Sequence, residues 1–500
     1  MKSVTPIVFV FHWRVWFTAA AGIHTQSQAV GSQNSHELSE LLSNNASIVL
    51  PSDPTWDNIV ARGSYPRIAP GYQLAVEVAT EADVATIVTY ANDHDIDFLA
   101  VAGGHGETTT LNRLQDGIQI NLRKLNSVTV NDDDTVTVGG GTLQQELVNQ
   151  LYEHGKRAVT GLCECVSVIG PLLGSGHSFL QSQHGFSVDN IVSANIVLAN
   201  GTTTSASATT NPDLFWALRG AGQNFGIVTS FTLKTYPITS TYSTYTFTFS
   251  RSQIDAVFSL VNEIDSPPSA RDPKFFLNAW LIRPSADDDP IFSYSLAYEG
   301  STYDLAIRAA PFLALNPITT ALVTNITYKE IHQALGFGAE IFACGKNMNQ
   351  AISGVGLPRW NIPALHSTYE LFCSLTADSR FANSAVLLEN YGIVGVLGVD
   401  AKSTAVPPEE RERPILTSAV IHYEGDEQRT RREAAEWLGR LTDALYEGVE
   451  EDRHAYVNYA NGNESVEEMY GREEWRVEKL RGLKAEWDPR NKFRFYNPIV

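Results

Sequence analysis

The chain has 500 residues, 43% of them hydrophobic and 10% aromatic, and a formal net charge of −20 at pH 7. This length exceeds what one hydrophobic core usually serves, so we expect two domains. The hydrophobic content supports sizeable cores and excludes a largely disordered chain. Because nucleic acids and anionic membranes are polyanions, the negative charge argues against both as partners.

Residues 1–29 predict a secretory signal peptide. Lys2 supplies a positive start, residues 7–10 and 15–21 are apolar, and the small residues 19–21 suit a cleavage site. The apolar stretch is too short and too interrupted for a membrane span. The alternative is a start of the chain that carries no signal. An extracellular glycoprotein also fits the Asn-x-Ser/Thr sequons at Asn45, Asn200, Asn325 and Asn463.

Alternating strands and helices from about residue 70 to residue 237 predict an α+β domain. A strand over 74–79 is followed by a helix that begins after Thr80. The remaining elements are strands over 98–102 and 118–122, a helix over 142–153, and hairpins over 127–138 and 191–207.

Between about 240 and 450 the pattern changes to antiparallel strands with intervening helices. Strands are predicted over 242–249, 275–282, 292–297 and 384–391, and amphipathic helices over 434–445 and 480–487. No low-complexity linker separates the two regions, so we expect them to share an extensive interface.

Several motifs of other enzyme classes are missing or out of place. The glycine-rich run 220–226 follows a helical pattern instead of a strand and has one residue too many for a dinucleotide fingerprint. The sequence contains no His-Glu-x-x-His and no Cys-x-x-Cys, so we expect no metal site. It also lacks a nucleophile elbow and a Walker-type loop.

Four cysteines are too few for a disulfide framework. Cys344 and Cys373 either pair in an oxidising compartment or remain two buried thiols. Cys163 and Cys165 are too close in sequence to pair easily. They lie in a glycine-rich segment, where chemistry is a better explanation than packing.

Two glycine-rich segments carry the candidate chemistry. In 100–107, a buried strand ends in Gly103-Gly104-His105-Gly106, whose amides can approach phosphates closely. In 160–176, small residues again permit close approach of the backbone to a large flat ligand. Each segment alone is a weak signal, because such turns are common.

Together these segments resemble the FAD-binding domain of the vanillyl-alcohol-oxidase superfamily (PCMH-type). The segments 183–189, 197–201 and 213–228 continue the match, and 455–459 and 488–498 resemble the berberine-bridge-enzyme-like branch. The resemblance covers most of residues 50–500. It implies a two-domain α+β fold with an FAD-binding domain (30–237), an antiparallel-sheet substrate domain (238–450) and a C-terminal segment (451–500) that returns to the FAD domain.

The resemblance implies FAD bound covalently through His105. Cys163, seven residues before Gly170, is the candidate for a second bond, and its competitor Cys165 is expected to be a packed thiol. Ser167 and Ser175 replace glycines that relatives usually have, and Gly106 replaces a serine, so one bond and two bonds both remain open. The other residues expected at the cofactor are Gly103, Gly104, Gly106, Gly170, Gly174, Asn190, Gly222, Gly226, Val228, Tyr456, Asn458 and Asn497.

The same resemblance assigns proton transfer to Tyr459. A free phenol has a pKa near 10, so we expect an electropositive group or hydrogen-bond donors to lower the pKa of Tyr459. Val166 matches the valine that admits oxygen in plant relatives, which favours an oxidase over a dehydrogenase. Glu389 and Tyr391 are predicted to line the substrate pocket.

The sequence therefore predicts a secreted, monomeric FAD oxidase that takes hydride from a small-molecule substrate and passes the electrons to molecular oxygen, releasing hydrogen peroxide. An open polar cleft would favour a sugar, and a closed apolar pocket a secondary metabolite. A flavin-carrying surface or storage protein with little activity is the alternative, and the retention of Tyr459 argues against it.

Overall fold

The computed structural model describes residues 34–338, 344–425 and 427–500. The predicted signal segment lies outside these residues. Within them, no helix combines the length and apolar character needed to cross a membrane.

The described strands fall into four sheets. The strands are β1 (Ser47–Val49), β2 (Tyr72–Glu77), β3 (Phe98–Val101), β4 (Gly117–Asn121), β5 (Val128–Val130), β6 (Thr135–Gly139), β7 (Lys156–Arg157), β8 (Ile191–Val197), β9 (Thr203–Ser207), β10 (Ile227–Lys234), β11 (Tyr236–Pro237), β12 (Tyr242–Phe249), β13 (Phe275–Ile282), β14 (Ile291–Glu299), β15 (Thr319–Ile326), β16 (Gln350–Leu357), β17 (Ala385–Asn390) and β18 (Ile415–His422). The α-helices are Trp56–Ile59, Glu81–Asp93, Gln144–Glu153, Ile169–Leu172, Gln181–His184, Pro212–Ala221, Ile254–Ile264, Thr302–Leu313, Ile331–Ala334, Ile362–Thr376, Val394–Leu397, Pro408–Glu412, Gln428–Leu445, Val466–Tyr470 and Glu474–Trp487.

The first region contains two larger sheets. One has the order β1-β2-β4-β3, with β2, β4 and β3 parallel, and the other has the antiparallel order β5-β6-β10-β8-β9. Helix Glu81–Asp93 connects β2 to β3 and begins at Thr80, whose side chain forms a capping box with Asp83. The Gly-Gly-His loop that follows β3 contacts the second region through Lys346.

The second region is built on a seven-stranded antiparallel sheet with the order β15-β12-β14-β13-β17-β18-β16. Side chains on a strand alternate between the two faces. On β17, Val386 and Leu388 pack in the core that also contains residues of helices Ile254–Ile264, Ile362–Thr376 and Gln428–Leu445. Leu387 points to the opposite face and packs in a different core, which also contains Leu162 of the first region.

The C-terminal segment packs back on the first region. The buried Lys484 Nζ donates hydrogen bonds to the backbone oxygens of Asn224 and Phe493 and to the carboxylate of Asp488. Arg494 Nη2 donates to both carboxylate oxygens of Asp97, just before β3.

The expected α+β architecture with an antiparallel-sheet region is confirmed, and both predicted hairpins are present. Three strands of the large sheet, β15, β16 and β18, were not predicted. On β16 the two glycines Gly354 and Gly356 weaken the usual strand pattern. Seven of the eight residues of β15 are exposed, which removes the alternation that reveals a half-buried strand.

The cysteine expectations need correction. Cys165 forms a disulfide with Cys344, so Cys165 is not a packed thiol and the suggested pairing of Cys344 with Cys373 is wrong. The bonded cysteines are 179 residues apart, and their Cα atoms lie 5.7 Å from each other. Such a pair has no local signal in the sequence. Cys163 and Cys373 remain free thiols.

Candidate active site

A cavity of about 340 Å³ lies between the first region and the large sheet. Its walls come from the loop after β3, the segment around Cys163, the C-terminal segment, and the inner face of β13, β16, β17 and β18. The two glycine-rich segments, which are distant in sequence, therefore meet at one site.

The Gly-Gly-His loop is packed so closely that side chains would not fit. Gly104 has a φ of +69°, a left-handed conformation that favours glycine. A Cβ on Gly103 would lie 2.9 Å from the backbone nitrogen of Ser167, and one on Gly106 would collide with the ring of Tyr496. The glycines thus let two backbone segments approach each other beside the cavity.

His105 is held as a neutral imidazole on the cavity wall. Lys346 Nζ lies 2.8 Å from its Nε2 and also donates a hydrogen bond to the Gly103 oxygen. Burial, together with the positive charges of Lys346 and Arg62, lowers the pKa of His105 to about 3. A neutral imidazole keeps a nitrogen lone pair available for bond formation.

Cys163 faces the same cavity as His105. Burial raises the pKa of its thiol to about 12, and the nearby carboxylates of Glu389 and Glu164 act in the same direction. Because Cys165 is bonded to Cys344, it has no thiol to compete for a ligand. Val166, the predicted oxygen-gate residue, also lines the cavity.

Tyr459 and Glu389 form a hydrogen-bonded pair on the cavity wall. The Tyr459 hydroxyl donates a hydrogen bond to Glu389 Oε2 (3.2 Å), and Tyr391 donates to Glu389 Oε1 (2.5 Å). Burial raises the pKa of Glu389 to about 7. Burial raises the pKa of Tyr459 well above its usual value, and the Glu389 charge adds to this effect. The expectation that surrounding groups lower the pKa of Tyr459 is therefore wrong, since its partner is a carboxylate.

The other residues of the Tyr-x-Asn-Tyr motif fix the position of Tyr459. Asn458 Nδ2 donates hydrogen bonds to the Tyr456 hydroxyl (2.7 Å) and to the Pro171 oxygen (2.9 Å). The rings of Tyr456 and Tyr459 are 5.1 Å apart. Opposite them, Gly354 leaves the space that the Tyr459 ring fills, because a Cβ there would lie 3.1 Å from its Cδ2.

A buried His177–Glu410–His454 triad adjoins the site, with His177 on the cavity wall. Glu410 bridges His177 Nε2 and His454 Nε2, the latter at 2.5 Å, and these bonds hold the pKa of Glu410 well below its usual range despite burial. The His177 ring packs 4.8 Å from the rings of Tyr391 and Tyr456. This triad was not predicted from the sequence, because its members are 44 and 233 residues apart and form no motif.

The structure places most, but not all, of the predicted cofactor residues on the cavity wall. Those that line it are Gly103, Gly104, His105, Gly106, Cys163, Gly170, Gly226, Val228, Tyr456 and Asn458. Gly174, Asn190, Gly222 and Asn497 lie behind the wall. Asn190, for example, hydrogen-bonds the His184 and Phe186 oxygens and the Tyr236 hydroxyl.

Three amide side chains on the wall suit a polar ring ligand such as a flavin. Gln144, Gln223 and Gln350 line the cavity, and each has a buried amide oxygen without a hydrogen-bond partner. Buried polar atoms are nearly always satisfied, so these oxygens indicate ligand donors at the same place. The tight glycine loop, the neutral His105 and the apolar strand β3 complete a site that fits FAD.

Comparison with family models agrees with this fit. Residues 72–207 match the FAD binding domain, and residues 455–500 match the family described as berberine and berberine like. The chain is an FAD-dependent oxidoreductase.

Characterised relatives match over almost the whole chain. The FAD-linked oxidoreductase anuG of Penicillium roqueforti is 35% identical over 93% of this chain and 92% of its own length. The FAD-linked oxidoreductase chyH of Penicillium rubens is 38% identical over 93% of each chain. The protein therefore belongs to the berberine-bridge-like FAD-linked oxidoreductases.

Solved structures share the fold at low identity. The xylooligosaccharide oxidase from Myceliophthora thermophila, solved with xylobiose, superposes with a TM-score of 0.79 at 22% identity, covering 92% of this chain and 98% of that one. A glucooligosaccharide oxidase from Acremonium strictum, described with a 6-S-cysteinyl, 8α-N1-histidyl FAD, gives 0.76 at 19% identity, covering 90% and 95%.

Proposed function

We propose that this protein is a secreted, monomeric oxidase that holds FAD covalently and takes hydride from the carbon of a substrate hydroxyl or amine. The observation that carries the proposal is the Tyr459–Glu389 pair, which faces the same cavity as His105 and Cys163. FAD bound there supplies the hydride acceptor, and molecular oxygen takes up the electrons with release of hydrogen peroxide. Val166 on the cavity wall supports access for oxygen.

The substrate proton goes to Glu389. A carboxylate with a pKa of about 7 is largely ionised just above neutral pH and is a suitable general base. Tyr459 is protonated and donates its hydrogen bond to Glu389. When the Tyr459 proton moves to the Glu389 carboxylate, the substrate hydroxyl gives its proton to Tyr459, which is therefore protonated again. Hydride leaves the substrate carbon in the same oxidation, and the substrate becomes a carbonyl or imine.

The covalent bonds are assigned to His105 and Cys163. The neutral imidazole of His105 supports the first bond. The pairing of Cys165 with Cys344 supports Cys163 for the second, because it leaves Cys163 as the free thiol on this wall of the described cavity. The doubly linked FAD described for the Acremonium oxidase agrees with this assignment.

Two features support secretion and glycosylation. The Cys165–Cys344 disulfide is of a kind that persists in oxidising compartments. All four sequon asparagines, Asn45, Asn200, Asn325 and Asn463, are exposed.

We place the FAD-binding domain at 30–237, the substrate domain at 238–450 and the returning segment at 451–500. The family match over 72–207 and the seven-stranded sheet within 242–422 support these bounds.

Acid precipitation tests the covalent bonds. The yellow colour should remain with the unmodified protein and with His105→Ala and Cys163→Ala singly, and should leave the double variant. His154→Ala, at an exposed histidine, and Cys373→Ser are the controls. If flavin washes out of the unmodified protein, covalent attachment is wrong.

Peroxide release over a panel of alcohols, sugars and amines tests the activity. A protein with bound flavin and no turnover would instead be a flavin carrier.

A further inference from the structure

The wall of the cavity opposite the FAD-binding domain presents mostly apolar side chains beside the Tyr459–Glu389 pair. The inner face of the large sheet contributes Trp280, Ile352, Leu387 and Val420 to the cavity, and Phe337 joins them from the segment after helix Ile331–Ala334. These residues lie outside the 72–207 match to the FAD binding domain, so this wall is the candidate for contact with the substrate.

Strand register places these residues in adjacent rows. Trp280 pairs with Leu387, and Leu387 pairs with Ser418, which form one row across β13, β17 and β18. Glu389 follows Leu387 on the same face of β17, about 7 Å further along the strand. On the other side of that row, Ile352 pairs with Val420. A substrate that reaches Glu389 therefore lies against Trp280, Leu387 and their neighbours.

The few polar groups of this wall are already engaged by the protein. Ser418 Oγ donates to the Ser353 oxygen (3.4 Å), and Glu389 accepts from Tyr391 and Tyr459. Among the described sheet residues of the wall, Gln350 Oε1 is the buried side-chain atom that lacks a hydrogen-bond partner. A sugar presents hydroxyls around its whole ring, and each one buried here without a partner would lose its bonds to water.

The aromatic pair on this wall suits a ring. Trp280 and Phe337 have ring centroids 6.2 Å apart at an angle of 45°. Aromatic faces and edges of this kind pack well against another aromatic ring, and the aliphatic side chains beside them add buried apolar area.

We infer that the substrate is a hydrophobic, ring-bearing alcohol with a single reacting hydroxyl aimed at Glu389 and Tyr459, and not a carbohydrate. Leu387, Val420 and Trp280 determine this specificity. The inference rests on the proposed function of the same cavity and names its substrate class. It separates this protein from structural neighbours that are described as acting on oligosaccharides.

Anaerobic reduction of the flavin in the full-length holoenzyme tests the inference. Naphthylmethanol and cinnamyl alcohol should bleach the flavin absorbance, whereas cellobiose and xylobiose should leave it unchanged. Binding is followed separately by the perturbation of the oxidised flavin spectrum. Dithionite reduction of each sample shows that the flavin is redox-active.

Two variants test the assigned wall. Leu387→Asn keeps the side-chain size but places an amide in the apolar row, and we expect KM for naphthylmethanol to rise by at least about ten-fold with a smaller change in kcat. Val420→Thr, which is nearly isosteric, should raise KM by about three-fold and guards against a folding defect in the first variant. Val192→Thr, on the exposed side of β8, is the control.

Each outcome decides the question. Reduction by the sugars and not by the aromatic alcohols overturns the inference and leaves the oxidase function intact. Binding of naphthylmethanol without flavin reduction overturns the proposed oxidation and leaves the apolar pocket intact. If neither class binds or reduces the flavin, or if Leu387→Asn and Val420→Thr behave like Val192→Thr, the inference is wrong.

Discussion

The Tyr459 hydroxyl lies 3.2 Å from Glu389 Oε2, and the other oxygen of Glu389 accepts a hydrogen bond from Tyr391. Glu389 is thus a fully buried carboxylate that accepts hydrogen bonds from two phenols, and neither of these hydrogen bonds comes from a cationic side chain. Its raised pKa of about 7 places its change of protonation near physiological pH. The predictions for catalysis follow from this arrangement.

Glu389→Gln should remove the proton acceptor. We expect kcat to fall by about 10²- to 10⁴-fold, as for other general bases. In the unmodified enzyme, activity should rise with pH as Glu389 loses its proton near pH 7. The variant should lack this limb of the profile. Glu370→Gln, at an exposed position, is the control, and an unchanged acid limb in Glu389→Gln would contradict the assignment.

Tyr459→Phe should lower kcat and also move the pH profile. The hydrogen bond from Tyr459 stabilises the ionised form of Glu389, so its loss should raise the pKa of Glu389 further. The acid limb should therefore shift to higher pH, while flavin stays attached. Tyr152→Phe, at an exposed tyrosine, should leave the profile in place. A shift to lower pH would show that Tyr459 acts in some other way.

Glu410→Gln should destabilise the fold. The variant removes the buried carboxylate that is hydrogen-bonded to two histidines, and loss of a hydrogen bond to a charged group typically costs about 1.5–3 kcal/mol. The folded-state pKa of Glu410 is depressed, so its stabilisation is present above the unfolded pKa of about 4.3 and is lost as pH falls toward the folded value. Urea unfolding at neutral pH should show the full loss, and the difference from the unmodified protein should shrink below about pH 4.

The exposed neighbour Glu412 supplies the matched control for this experiment. Glu412→Gln should unfold like the unmodified protein at every pH. Equal stability of Glu410→Gln and Glu412→Gln at neutral pH would rule out the His177–Glu410–His454 triad as a stabilising hydrogen-bonded cluster.

Cys344→Ser should lower thermal stability by removing the disulfide to Cys165. The bond closes a loop between residues 179 apart, and loss of a native disulfide typically costs about 2–5 kcal/mol. Differential scanning calorimetry with and without reductant measures the effect. Cys373→Ser, which removes a free thiol, should melt unchanged. A reductant-insensitive melting temperature in the unmodified protein would exclude the disulfide.

By itself, the sequence determined the class of protein and the parts of the site that are local in the chain. Gly103, Gly104 and His105 are adjacent, and the turn they form needs glycine at a positive φ, so the motif carries its own geometry. The Tyr-x-Asn-Tyr motif is equally compact, and Asn458 contacts Tyr456 directly. Ordered motifs of this kind predicted an FAD-dependent enzyme, which the family models confirm.

Only the tertiary structure decided which distant residues meet. Glu389 and Tyr459 are 70 residues apart, and Cys165 and Cys344 are 179 apart, so neither pair leaves a periodic or spaced pattern. The apolar wall depends on the register of β17 and β18, because a shift of one residue would turn Leu387 and Glu389 away from the cavity. The pKa of Tyr459 likewise depends on its hydrogen-bond partner Glu389, a carboxylate from a distant part of the chain.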